Sequence, residues 1–336
     1  MTEPPLSCID VHTHVVPERF PAYAGHDVKA AWPSMLPARA CHRHVMLSGK
    51  VYRTVSDRCW DAALRAADMD GQGVARQVLS PMPELLSYWL DGADGAVLAR
   101  YLNEQIAAMV AREPGRFFGL GAVPLQDLDR AIAELEHAVG TLGLAGIELG
   151  TNVNGMVLGD ARLEPFFAVA ERLGAAIFVH PLRPAGMDRL VGPANLEQVA
   201  AFPGETGLAA ASLLTGGTLA RHPDLRIALS HGGGSLAMLL PRLQHGWQTF
   251  PALREAVAEA PAAGARRLWV DSLVYDRLAL LHLIDRFGPT QVCVGSDFPF
   301  AIAEPDPVGR IAALGVEDGV RELLLHRNAE RWLGVH

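Results

Sequence analysis

Strand-sized apolar runs alternate with amphipathic segments along most of this 336-residue chain. The segments between the runs repeat apolar residues at helical spacing, for example Ile132, Leu135 and Val139. Eight strand–helix alternations predict a (β/α)8 barrel. The eight runs with the length and composition of buried strands are LSCID, RQVLSP, FFGLGAVP, AGIELG, AIFVHP, RIALSH, LWVDS and VCVGSD.

A doubly wound open sheet has the same alternation, but it would lead us to expect a G-x-G-x-x-G turn after the first strand. This chain continues with VHTHVVP there. The alternation breaks once, where ACHRHVMLSGKVYRTVSD reads as two short strands joined by a turn at SGK. We therefore expect one distorted TIM barrel domain over residues 1–336, with a small β-rich insertion subdomain over residues 15–60 after the first strand.

Potential metal ligands follow four of the predicted strands. The first strand ends at His12 and His14, the fifth at His180, the sixth at His231 and the eighth at Asp297. Each alone has an ordinary explanation as a turn or capping residue. Positions two apart on a strand share a face, and the carboxyl ends of barrel strands converge on one face. Together these residues predict a metal site, with zinc favoured and manganese, iron or cobalt as alternatives.

Lysine usage indicates the number of metal ions. Barrel hydrolases with two bridged ions commonly hold a carboxylated lysine at the end of strand four, and this chain has only Lys29 and Lys50. Strand four ends in AGIELGTN instead. We therefore expect one divalent ion. Glu148 would then be a structural carboxylate, or one that contacts the ligands without binding the ion itself.

Charge and cysteine usage limit the partners. A formal net charge of -8 and the lack of a long Lys/Arg run argue against nucleic acid or an anionic membrane surface, which favours a small molecule. The four cysteines contain no C-x-x-C, and no basic segment leads into an apolar signal region. No apolar run approaches the roughly 18–20 residues that span a bilayer. We expect a cytoplasmic protein with reduced thiols.

Four motifs carry a specific resemblance: DVHTHVVP, VHP, SHGGGSLAMLLPRLQHGW and VGSDFPF. They resemble the amidohydrolase superfamily and, within it, the metal-dependent decarboxylases typified by 2-amino-3-carboxymuconate 6-semialdehyde decarboxylase. The resemblance covers nearly the whole chain. It implies one divalent ion, no organic cofactor, and a histidine, here His231, that handles the metal-bound water or the proton. The ligands that it implies are His12, His14, His180 and Asp297.

The resemblance also implies two arginines for the substrate carboxylates. They correspond to Arg53 in the insertion and to Arg242, which would reach the neighbouring site of a homodimer. A guanidinium offers carboxylates a planar two-pronged donor. Phe300 would pack on an unsaturated or aromatic substrate, although a core aromatic is the alternative. The family's tryptophan after the HP motif is missing here, and Arg183 and Arg189 lie in that loop.

The expected function is metal-dependent, non-oxidative decarboxylation of an unsaturated or aromatic carboxylic acid. A muconic semialdehyde, a hydroxybenzoate and a heteroaromatic acid all remain open as substrates. The alternatives are a hydrolase of a lactone or amide, or a hydratase, because the same metal and base can direct hydroxide at a carbonyl or an alkene. A structural metal in a non-catalytic protein is the third possibility. Structural zinc sites are usually fully coordinated by four protein ligands, often with cysteine, whereas strand-end His and Asp with His231 to spare suit an open catalytic position.

Overall fold

A parallel eight-stranded sheet forms the centre of the molecule. The computed structural model describes residues 8–27 and 29–335, so Leu6 and Ser7 of the first predicted strand lie outside the described residues. The strands follow chain order in the sheet. They are β1 (Cys8–Val15), β2 (Val74–Pro81), β3 (Phe117–Gly121), β4 (Gly146–Gly150), β5 (Ala176–His180), β6 (Arg226–Leu229), β7 (Trp269–Asp271) and β8 (Val292–Cys293).

The first and last strands close the sheet into a barrel. The Val11 amide donates to the Val294 carbonyl at 2.8 Å, and the His14 amide donates to the Phe298 carbonyl at 2.8 Å. All strand pairs in the sheet are parallel. The predicted (β/α)8 barrel is therefore confirmed.

Helices connect the strands and cover the barrel. Local capping sets their bounds: Asp61 accepts hydrogen bonds from the amides of Ala63 and Leu64 at the start of the first helix, and Gly73 ends it in the left-handed conformation. None of the described helices is long and apolar enough to cross a membrane. The helices are α1 (Ala62–Gln72), α2 (Gly92–Arg112), α3 (Leu128–Gly140), α4 (Glu164–Arg172), α5 (Phe202–Thr215), α6 (Thr218–Arg221), α7 (Leu236–Thr249), α8 (Pro251–Ala256), α9 (Pro261–Ala265), α10 (Arg277–Phe287), α11 (Pro307–Ala312), α12 (Asp318–Glu322) and α13 (Asn328–Leu333).

Apolar side chains fill the barrel interior, and a cavity opens at the carboxyl ends of the strands. Phe178 on β5 packs inside the barrel with Trp332 of α13, and both side chains are fully buried. His180 follows Phe178 by two residues on the same strand, so both side chains point to the same face. The apolar layer therefore forms the floor on which the polar residues at the carboxyl ends of the strands sit.

The β-rich segment between β1 and α1 is a three-stranded antiparallel sheet. Its strands are Ser34–Pro37, His42–Leu47 and Lys50–Ser56, all within residues 15–60. The last two match the two strands expected on either side of the SGK turn, where Ser48 has a φ of 50°. The strand Ser34–Pro37 was not predicted, because a four-residue stretch ending in proline carries no alternating pattern.

Candidate metal centre

Three histidines and one aspartate converge at the carboxyl end of the barrel. One ligand atom from each of His12, His14, His180 and Asp297 lies within 4.8 Å of the others, and all four residues are buried. His14 Nε2 is 3.1 Å from His12 Nε2 and 3.2 Å from Asp297 Oδ1. The four predicted ligands therefore lie together, as the alternation of β1 and the convergence of the strand ends predict.

The second ring nitrogen of each histidine faces an oxygen acceptor. His12 Nδ1 lies 2.6 Å from Asp271 Oδ2, and His14 Nδ1 lies 3.2 Å from the Pro81 carbonyl. His180 Nδ1 lies 3.0 Å from the carbonyl of the residue that follows it. Each contact places the proton on Nδ1, which leaves the Nε2 lone pair directed at the centre of the group.

Charge also fits a cation at this position. Burial raises the pKa of Asp297, but the close approach of His14 and the charge of His12 bring the pKa below its usual value. Asp271 behaves in the same way beside His12, so its pKa is also lowered. Asp297 Oδ1 is buried and has no hydrogen-bond partner among the described residues. Two buried carboxylates need compensating positive charge, and a His/Asp donor set suits one divalent ion.

The histidines differ in their affinity for protons. Burial lowers the pKa of His12, yet the hydrogen bond and charge of Asp271 and the charge of Asp297 raise it to about 9. Burial and the neighbouring histidines move the pKa of His180 well below its usual value. A proton on His12 therefore competes with a metal ion for this group.

Asp271, the last residue of β7, connects the ligands to the turn after β6. Besides the His12 ring, its carboxylate accepts the amides of His231 at 2.9 Å and Gly232 at 2.8 Å. The sequence patterns described above did not identify Asp271 as a site residue. The same signal could have found it, because Asp271 is a carboxylate at the end of the predicted strand LWVDS.

Replacing Asp271 with asparagine is expected to weaken metal binding by about 10–100-fold, because the amide cannot hold the His12 ring as the carboxylate does. The measurement is metal bound per chain at buffered free zinc. Asp10→Asn is the matched control: Asp10 is also fully buried but accepts the His12 and Ser296 backbone amides rather than a ring. Equal losses in the two variants would contradict the prediction.

His231, Arg53 and Phe300 lie together at a cavity above the ligands, with a volume of about 280 Å³. The His231 ring centroid is 5.2 Å from that of His12. Phe300 stacks on His14 with centroids 5.1 Å apart, and the Arg53 guanidinium lies 4.1 Å from the Phe300 ring centroid. Burial and the charge of His12 lower the pKa of His231 to about 4.

The other candidate residues lie outside this cluster. Arg242 is exposed on α7 and does not line the cavity of its own chain. Arg183 and Arg189 are also exposed, and the Arg183 guanidinium stacks 3.6 Å from the Trp89 ring centroid. Glu148 is fully buried, with Oε2 3.9 Å from His14 Nδ1.

Two predicted strands end before the site residues that their sequence patterns include. The expected strands RIALSH and VCVGSD run to His231 and Asp297, but β6 ends at Leu229 and β8 ends at Cys293. His231 has a φ of 54° and Asp297 has a φ of 66°. This left-handed geometry is incompatible with extended strands, so both side chains are held on turns beyond the strand ends.

Named proteins are similar to this chain in sequence. The chain is 37% identical over 330 residues to a 2-amino-3-carboxymuconate-6-semialdehyde decarboxylase of Dictyostelium discoideum, which covers 97% of this chain and 91% of that protein. It is 31% identical over 227 residues to a gamma-resorcylate decarboxylase of Rhodococcus jostii (strain RHA1), covering 60% of this chain and 66% of that protein.

Solved structures show the same fold. The apo form of Metarhizium anisopliae IDCase has a TM-score of 0.83 at 21% identity and covers 98% of this chain and 97% of that one. A dihydroxybenzoic acid decarboxylase from Polaromonas sp. JS666, solved with manganese and 2-nitroresorcinol, has a TM-score of 0.74 at 20% identity, covering 98% and 97%. The amidohydrolase family model matches residues 9–335. The chain therefore belongs to the amidohydrolase family.

Proposed function

We propose that this protein is a metal-dependent, non-oxidative decarboxylase, a carboxy-lyase, for an unsaturated or aromatic carboxylic acid. The observation that carries the proposal is the cavity in which His180, Asp297 and His231 face a guanidinium and an aromatic ring. The 37% identical relative bears the name of a muconate-semialdehyde decarboxylase, and a second bears that of a resorcylate decarboxylase. The substrate class is therefore aminocarboxymuconate-semialdehyde-like or hydroxybenzoate-like.

Loss of CO2 leaves an electron pair on carbon, and this developing charge is the barrier. His12, His14, His180 and Asp297 would hold a divalent ion, which would supply a Lewis acid to stabilise this charge. Arg53 binds a substrate carboxylate and Phe300 packs on the unsaturated part of the molecule. His231, which lines the cavity beside the ligands, passes a proton to the substrate carbon.

The second arginine is proposed to come from a partner subunit. Arg242 lies on α7 beside Met238, which is 74% exposed, and Leu239, which is 41% exposed. Leu208 on the adjoining α5 is 48% exposed, and Val199 at the cavity is 57% exposed. Large apolar side chains in such a group suit a protein interface. A homodimer through this face would bring Arg242 to the neighbouring cavity.

Mixing two inactive variants is expected to restore activity if Arg242 acts across the interface. In Arg242→Ala/His180→Ala heterodimers, one site has an intact metal group and receives Arg242 from its partner. Random mixing at equal amounts should give about one quarter of the wild-type activity, since half of the dimers are mixed and each has one complete site. Each variant alone is the control. No recovery in verified heterodimers would indicate that Arg242 acts within its own chain or has no role.

The alternative is a hydrolase of a lactone or amide, or a hydratase, on the same barrel. The test is CO2 release by the protein loaded with zinc, and separately with manganese, across unsaturated and hydroxylated aromatic acids, with a chelated control. Metal-dependent CO2 release supports decarboxylation, whereas turnover of lactones without CO2 release supports the hydrolase.

Zinc is the proposed native ion, and a cytoplasmic location stays a prediction.

A further inference from the structure

One carboxylate in the cavity has no part in the scheme above. Glu84 lies on the 3-10 turn Pro83–Leu86, directly after β2, and lines the cavity together with Arg53. Its side chain is half-buried. Asp297, the other carboxylate at this cavity, belongs to the metal ligands. Glu84 is therefore an acceptor that faces whatever occupies the space.

The charges of two arginines and a tyrosine hydroxyl influence Glu84. Burial raises the pKa of Glu84, while the Arg53 guanidinium and a hydrogen bond from Tyr52 oppose that shift. The charge of Glu84 also acts on Arg183, whose pKa burial lowers. Each carboxylate oxygen can accept two hydrogen bonds, so acceptor sites remain for a ligand.

The rest of the cavity wall is largely apolar. Its volume of about 280 Å³ is at the lower end of the range for small-molecule sites. In such a site a few polar groups fix the orientation of the ligand. The apolar side chains of the wall include those of Phe202, Leu273, Val274, Phe300 and Ile302.

We propose that Glu84 is a specificity-determining residue that selects carboxylic acids carrying a hydroxyl or amino group. Arg53 binds a carboxylate, and Glu84 accepts a hydrogen bond from the donor substituent of the same molecule. An acid without that donor leaves the Glu84 carboxylate desolvated and unpaired, which costs affinity. The inference rests on the proposed function, because it takes the cavity above the metal ligands as the substrate site.

The test is binding rather than turnover. Isothermal titration of the zinc-loaded protein compares the 2-, 3- and 4-hydroxybenzoates with the corresponding fluorobenzoates, which have a similar size but no donor. We expect at least one hydroxy acid to bind the wild type about 10-fold or more tightly than its fluoro partner, as for a hydrogen bond to a charged group. Glu84→Leu should abolish this preference, and Glu84→Gln should reduce it.

Glu197→Gln is the matched control. Glu197 is a half-buried carboxylate whose charge acts on both Tyr52 and Glu84, but it does not line the cavity. This variant should keep the preference, and all variants should keep their zinc because neither residue belongs to the metal ligands. The preference could also arise because the hydroxyl of the acid binds zinc directly. In that case Glu84→Leu would retain the preference, as Glu197→Gln does.

Two results would overturn the inference. One is a preference for hydroxy acids that Glu84→Leu retains, and the other is a wild-type protein that binds no hydroxybenzoate more tightly than its fluoro partner. Either result can occur while the CO2 assay supports decarboxylation. Conversely, loss of the donor preference in Glu84→Leu, without CO2 release from any acid, would support the subsite and count against the decarboxylase.

Discussion

Asp297→Ala is expected to release the metal and reduce CO2 production to the level of the chelated wild-type protein. Asp297 Oδ1 lies 3.2 Å from His14 Nε2 and 3.7 Å from His12 Nε2, so it closes one side of the ligand group. The aspartate is the group's only carboxylate, and its charge attracts a dication into a buried site. A metal ion contributes several kcal/mol of transition-state stabilisation, so its loss should lower the rate by about 10³-fold or more.

The measurement pairs metal content with CO2 release. Asp306→Ala is the control, because Asp306 only caps α11 by accepting the Gly309 amide at 2.8 Å. That variant should keep both its metal and its activity. An Asp297→Ala protein with stoichiometric metal and near-normal turnover would remove Asp297 from the ligand set.

His231→Ala is expected to keep the metal but to lower kcat by about 10²–10⁴-fold, the usual contribution of a proton-transferring side chain. The His231 ring lines the cavity and lies 5.1 Å from the His180 ring centroid, but it is not one of the four converging ligands. Its removal should therefore affect proton transfer to carbon more than metal binding. KM should change less than kcat, because the binding groups Arg53 and Phe300 remain.

Metal content and steady-state kinetics of His231→Ala test this separation. His137→Ala on α3 is a suitable control, since His137 is a half-buried histidine of the outer helical layer. Retention of both metal and near-normal turnover by His231→Ala would rule out the proton role. Loss of both the metal and the activity would instead indicate that His231 contributes to metal binding.

Short-range rules explain why much of the site could be predicted. The alternation of side chains along β1 puts His12 and His14 on one face, whatever the rest of the fold. Parallel strands joined by helices bring their carboxyl ends together, so His180 at the end of β5 and Asp297 just beyond β8 had to approach them. The sequence thereby determined the barrel and the metal-ligand group.

Contacts between distant segments could not be predicted in this way. The end of β7 would have placed Asp271 at the barrel mouth, but not beside a particular ligand. Only the packed structure shows that Asp271 Oδ2 lies 2.6 Å from Nδ1 of His12, which is 259 positions away in sequence. Glu84 reads as an ordinary turn residue, and only the closed fold turns it toward the same cavity as Arg53. The left-handed turns at His231 and Asp297 were also not predicted, because the enrichment of histidine and aspartate in this conformation is too weak to place a turn at one position. Tertiary structure decided these features because they depend on which side chains pack across the barrel mouth, whereas local periodicity decides only which face each side chain occupies.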